Sequence, residues 1–562
     1  MTFTGNLGAA SITTAGNALN VALNGTSNSV TGAGTFGNTG TLTLGANGGA
    51  STFAGGLTAT APSIVTTNGT INTTNTALTL GTTTLGSATT VSTGSGNVTF
   101  ASTVNGANAL TVNSSGATAF NGVVGGLSPL TGLTTNGGPV SLLNVTTNGA
   151  QTYNGALTTK GTYTTSNAAF TAGSTTTLAG NTTILTAGGP VTMTGTVNGT
   201  SAGNQALTIN AGTGNVNFGT TVGTATSLAA LTVTGTNISA HDVTTQKGTF
   251  SGNQTYNVTG AVTFNSTETT NGGNFTVNGA MVAGNLGNNA LVIDTGTGNA
   301  TVTGAVNGTT VGGQSLTVNS SGVTTFGNTI GATTSLSSLT TDAPGSSVFG
   351  GNVTVSGPAP TTVTPLISIN DSLGASTTAP VTMSSVNGGQ ILIPQFAFTQ
   401  ANSLSLSTSG TVVLAGAAGT TTGATGVPLI LTQTPVNLQT LNASNLTYSS
   451  PGSPATLNFF SGSSVFAFLG GSTSAVLQAA NATQNTAAQT VSSVQGTAAS
   501  AVAEASKVGF DTDSVAQQIN FGFAGDVGVS PPMDHRLDET GIAVPEGFGE
   551  DEEDENEKKK KK

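Results

Sequence analysis

The chain has 562 residues, 82 of them glycine, with no cysteine, no tryptophan and a net charge of −11. Only 5% is charged, against about 25% in an ordinary globular domain. No apolar run approaches the roughly 18 residues of a membrane-spanning helix, aromatic girdles of a membrane barrel are missing, and the acidic balance excludes nucleic-acid binding by counterion release.

The opening, MTFTGNLGAASITTAG, has no basic or apolar signal-peptide region. It reads as repeat from its first residues, as the distal part of a longer protein or one whose start is misplaced would. An array opening on an uncapped parallel edge is expected to associate end to end.

Short alternating runs follow, such as Leu42-Thr-Leu44, Leu110-Thr-Val112 and Leu207-Thr-Ile209. Each puts one face inward and one outward, and Gly and Asn-Gly pairs break them at close intervals with residues that tolerate positive φ.

One phrase is written three times, from Ala109 to Leu133, Ala206 to Leu231 and Ser315 to Leu339. Phe120, Phe218 and Phe326 are each followed by Val124, Val222 or Ile330, by Gly125, Gly223 or Gly331, by Leu130, Leu228 or Leu336, and by Leu133, Leu231 or Leu339. The phenylalanines lie 98 and 108 residues apart. A Val-Asn-Gly triplet recurs upstream at Val104, Val197 and Val306, and Gln-Thr-Tyr recurs downstream at Tyr153 and Tyr256. Small apolar side chains and glycines recur with no polar constellation among them, which marks a stacked structural repeat. Because one coil takes roughly 20 to 30 residues, the long period spans several coils. The fold expected is an all-β, elongated parallel β-helix solenoid over residues 1–356. It is followed by divergent solenoid or a C-terminal cap over 357–470, where prolines appear and the phased Phe is lost.

From residue 471 the composition shifts. Residues 471–508, rich in Ala, Gln and Ser, read as helical. Residues 509–562 carry most of the acids, including EDEEDENE and the closing five lysines, and read as a disordered acidic tail.

Candidate sites weigh lightly. Gly199-Thr-Ser201-Ala-Gly203 matches a nucleophile elbow, a pattern that abundant glycine produces by chance; the serine reads as a turn filler and no hydrolase activity is expected. His241-Asp242 is the one His–acid pair of the repeat region, and two histidines without cysteine do not make a zinc site. Asp294 lacks the glycine–aspartate array of a calcium-binding repeat. Neither Lys160 nor Lys247 follows a phosphate-binding glycine loop. Sequons such as Asn24, Asn68 and Asn181 follow from composition. No catalytic, cofactor-binding or metal residue is assigned, and no cofactor is expected.

The uncharged Gly/Thr/Asn/Val-rich array with its Val-Asn-Gly and Leu-Thr-Val-Asn phrases resembles the filamentous-haemagglutinin-like exoproteins of Gram-negative bacteria, over residues 1–470. The resemblance implies a right-handed parallel β-helix of the two-partner-secretion or autotransporter type, exported through an outer-membrane partner. It further implies adhesion at a host or neighbouring-cell surface, or a role in a biofilm. The start of the chain departs from that family's signal peptide and secretion domain, and the absence of cysteine departs from members anchored by a disulfide loop. Two alternatives stand beside the adhesin: a self-assembling S-layer-like array, and an ice-binding solenoid suggested by Thr192/Thr194, Thr232/Thr234 and Thr301/Thr303. Ice binding ranks last because those pairs are unevenly spaced.

Overall fold

A computed structural model describes residues 1–46, 48–248, 250–284 and 290–357. Beyond these it describes 365–375, 381–387, 389–393 and the strand segments between 404 and 459. The chain divides into two units, Met1–Ala488 and Gln489–Lys562, and all described residues lie in the first. The expected helix over 471–508 and the acidic tail lie outside them.

The first unit is a parallel β-solenoid, and no helix occurs among the described residues. Its path is three-sided. Thr2–Phe3, Val21–Leu23 and Thr41–Leu44 stack as face 1. Gly8–Ala9, Ser27–Val30 and Ala50–Phe53 stack as face 2. Ile12–Thr14, Gly34–Phe36 and Leu57–Ala59 stack as face 3. The chain visits the faces in that order, turn after turn. Several long strands, such as Ile64–Thr73, round a corner and serve faces 1 and 2 together, with a register shift at the bend. Parallel pairing continues to Leu457–Phe459, so the Pro-containing region after residue 357 still carries solenoid strands.

Alternation dictates the core. Strands such as Val98–Phe100 bury their first and last residues and turn the middle one outward. Each turn therefore contributes a few apolar side chains to a narrow interior, and parallel in-register stacking places like on like. Phe100 stacks on Phe120 with ring centroids 4.7 Å apart, and Phe326 on Phe349 at 5.5 Å. The repeat residues Val124, Val222, Ile330 and all six repeat leucines are buried, as the sequence pattern requires.

The long repeat has a geometric consequence. Starting from Val124 on face 1, the ladder returns to that face at Val145, Tyr163, Ile184 and Ile209. The chain then passes Phe218 on face 2 and reaches Val222 on face 3. From Val222 it returns to face 3 at Val243, Glu268, Ile293 and Val318, passes Phe326 on face 1, and reaches Ile330 on face 2. Each period is thus four turns and two further sides, whether it takes 98 or 108 residues. The three copies of one motif sit on three different faces, each a third of a turn from the last.

Candidate functional site

The repeated polar residues do structural work. In each copy the strand at Val124, Val222 or Ile330 shrinks to an isolated bridge, and the chain loops out before the next leucine. The asparagine of Val-Asn-Gly, one turn earlier, caps that loop. Asn105 Oδ1 accepts from the amides of Leu127 and Ser128 at 2.9 and 3.4 Å. Asn198 accepts from Ala225 and Thr226 at 3.1 and 3.2 Å, and Asn307 from Thr333 and Thr334 at 3.1 and 3.2 Å. The triplet and the Phe-to-Leu phrase, noticed separately in the sequence, are two halves of one unit.

Gln-Thr-Tyr is a core plug. Gln151 and Tyr153 both point inward, the tyrosine hydroxyl donates to Gln151 Oε1 at 3.0 Å, and Gln151 Nε2 donates to the Thr164 carbonyl at 2.9 Å. Gln254 and Tyr256 repeat this at 3.2 and 2.9 Å, with Thr269 as the acceptor. In the third copy the register position holds Ile367 and Ile369, since Leu339 pairs with Ile367 as Leu231 does with Gln254.

Two turns on from Val124, Val222 and Ile330, past Val145, Val243 and Val353, stand Tyr163, Glu268 and Met383 in the three copies. Glu268 is wholly buried. Its Oε2 lies 3.0 Å from the Tyr256 hydroxyl, and its Oε1 has no hydrogen-bond partner. Burial pushes its carboxyl well above the usual range; the Tyr256 hydrogen bond pulls the other way, and nearby Asp242 adds to the rise. The Tyr256 hydroxyl has one hydrogen for two acceptors, Gln254 and Glu268. A protonated Glu268 resolves this by donating to Tyr256, which donates to Gln254.

The sequence-marked residues scatter. Ser201 lies exposed in the loop after Val197–Gly199; its hydroxyl accepts from the Asn204 amide at 2.8 Å and its backbone amide donates to Gln205. Asp242 accepts from the Thr267 amide of the next turn at 2.9 Å, and Asp294 from the Gly296 amide two residues on at 3.2 Å, both as backbone braces. No group of three metal-ligating side chains occurs among the described residues.

Register brings together what sequence spacing hid. On face 1, Thr162, Thr183, Thr208, Thr232, Thr255, Thr276, Thr301 and Thr325 pair in one unbroken outward column. On face 2, Thr70, Thr90, Thr111, Thr134, Thr152, Thr171 and Thr192 do the same. Thr192 therefore belongs to a different face from Thr232 and Thr301, while those two share a column three turns apart. The five acids among the described residues, Asp242, Glu268, Asp294, Asp342 and Asp371, lie on face 3 or at its flanks, so both threonine columns are free of carboxylates.

Beside the face 2 column an open trough of about 490 Å³ runs over Asn75, Ser92, Ser95, Asn113, Ser115 and Asn136. Its floor is an amide ladder. Asn154 Nδ2 donates to Asn136 Oδ1 at 2.6 Å, Asn136 to Asn113 at 2.8 Å, and Asn113 to the Ser92 hydroxyl at 3.4 Å. Its rim is the corner where Asn75, at φ +55°, accepts from the Ser95 amide at 3.0 Å.

Fold and surface together define a β-solenoid repeat protein. Searches of protein families, of curated proteins and of solved structures find no match to this chain.

Proposed function

We propose that the chain is a non-catalytic adhesive or structural surface fibre, secreted to the exterior of a Gram-negative cell through an outer-membrane partner. The observation that carries the reading is the pair of outward threonine columns. They are long, uncharged and repetitive, and they are set by a core with no other evident task. Such a surface offers many weak, identical contacts along one axis, and multivalency turns these into firm attachment. An S-layer-like array would use the same columns between copies. Beads coated with the full chain are expected to adhere to cell surfaces several-fold better than beads coated with the heat-unfolded chain. Equal retention of the two would contradict the reading.

A second reading is favoured by the longer of the two columns, that of face 1. None of its eight hydroxyls hydrogen-bonds to protein, and parallel strand spacing places them about 4.8 Å apart, close to an oxygen repeat of ice. On this reading the full chain shows thermal hysteresis, and Thr232→Tyr, a bulky interruption at mid-column, abolishes it. Freezing of the wild-type chain without hysteresis would dispose of ice binding.

A further inference from the structure

We propose that the trough over residues 75–137 is a binding site for a neutral, hydroxyl-rich chain, that is, an uncharged glycan laid along the solenoid axis; this rests on the adhesive reading and names its receptor class.

A side-chain amide has two donor hydrogens and a carbonyl oxygen with two lone pairs. Asn136 and Asn113 each spend one hydrogen and one lone pair within the ladder, and the rest of each amide remains for a ligand. The Ser92 hydroxyl accepts from Asn113 and donates to no protein group. The Asn75 amide hydrogens and the whole Ser95 hydroxyl are likewise unused. The trough therefore presents donors and acceptors interleaved, which matches a ligand whose own groups are hydroxyls.

Charge decides against the alternatives. No ionisable residue lines the trough, so sulfated or phosphorylated chains find no counter-charge there. No apolar side chain lines it either, which leaves a hydrophobic peptide without an anchor. Two glycines line its corner. Gly94 at φ +63° and Gly137 at φ +101° take conformations open to glycine at little cost, and a Cβ on Gly94 would overlap Asn75 Oδ1. Since successive turns repeat every 4.7–4.9 Å, a ligand chain meets an uncharged polar group at each turn, Ser92, then Asn113, then Asn136, and is held in line with the axis.

The test uses the full chain and three neutral hexasaccharides (maltohexaose, cellohexaose and chitohexaose), with a heparin hexasaccharide as the charged comparison. At least one neutral hexaose is expected to bind with Kd at or below about 1 mM, undiminished by added salt. Ser95→Trp, which fills the trough from an exposed corner, should weaken binding at least tenfold, and Thr213→Trp, at an exposed corner elsewhere, should leave it intact. Circular dichroism on both variants separates blocking from misfolding. Binding of heparin alone, binding of no hexaose, or binding indifferent to Ser95→Trp would overturn the site. Bead adhesion scored on the same variants keeps the two claims apart. Adhesion that survives Ser95→Trp would sink the trough as the adhesive receptor site and leave the fibre, whereas glycan binding without any adhesion would sink the fibre.

Discussion

Gly223→Ala is expected to destabilise the solenoid by on the order of 3 kcal/mol or more, while Gly8→Ala changes almost nothing. Gly223 sits at φ +71°, where a side chain costs about 1–2 kcal/mol. A Cβ there would also overlap the Thr244 carbonyl oxygen of the following turn. That oxygen belongs to the stacked backbone and has no room to retreat. Gly125 and Gly331 occupy the same geometry in the other copies, at φ +71° and +69°, against the carbonyls of Thr146 and Thr354. Gly8, within a strand, has nothing within 4 Å of its missing Cβ. Thermal unfolding followed by circular dichroism checks this; a Gly223→Ala protein that melts with the wild type would mean the loop is built otherwise.

Glu268→Met is expected to raise stability at pH 8, by about 1.4 kcal/mol for each pH unit over which the unfolded chain has released the proton that folded Glu268 keeps, and to bring no such gain at pH 4. The internal repeat supplies the substitution, since Met383 fills the equivalent position one period later. Its sign follows from linkage. Glu268 keeps its proton in the folded protein to a pH well above the usual carboxylate range, because burial disfavours the charge. The unfolded chain releases that proton near pH 4.3. Stability is therefore full below that point and falls as pH rises toward the folded value. Asp371, raised by burial to about 6 against Ser347's opposing hydrogen bond, adds a second loss between about pH 4 and 6. Melting temperature against pH for the wild type and Glu268→Met should diverge upward from pH 4. Parallel curves would show that Glu268 titrates as an ordinary exposed acid.

Much of the fold was legible because the core repeats in small apolar residues at strand period. Val124, Val222, Ile330 and the six leucines needed only alternation and recurrence to be placed inside. What alternation cannot give is the face, because the corners vary in length. Along face 1 the step from Val145 to Tyr163 takes 18 residues and that from Ile184 to Ile209 takes 25. Uneven corners hid the threonine columns and concealed that one motif visits all three faces, and Thr192, on another face, made the spacing of the three threonine pairs look irregular. Glu268 was missed for a related reason. In Thr267-Glu-Thr269 the strand period makes the middle residue inward, yet a lone acid in a polar stretch reads as surface. The amide trough left no mark in sequence at all, since its asparagines and serines come from successive turns and meet only through register.

The register of the face 1 ladder is tested most directly by distance measurement between spin labels. The chain has no cysteine, so Thr183→Cys and Thr325→Cys can be labelled without background. These positions are 142 residues apart in sequence but six strand steps apart on one column, which places their backbones about 29 Å from each other. A single narrow distribution near that value, widened only by the label arms, is the predicted result. A broad distribution, or one centred beyond about 45 Å, would contradict the continuous face 1 ladder and the threonine column built on it.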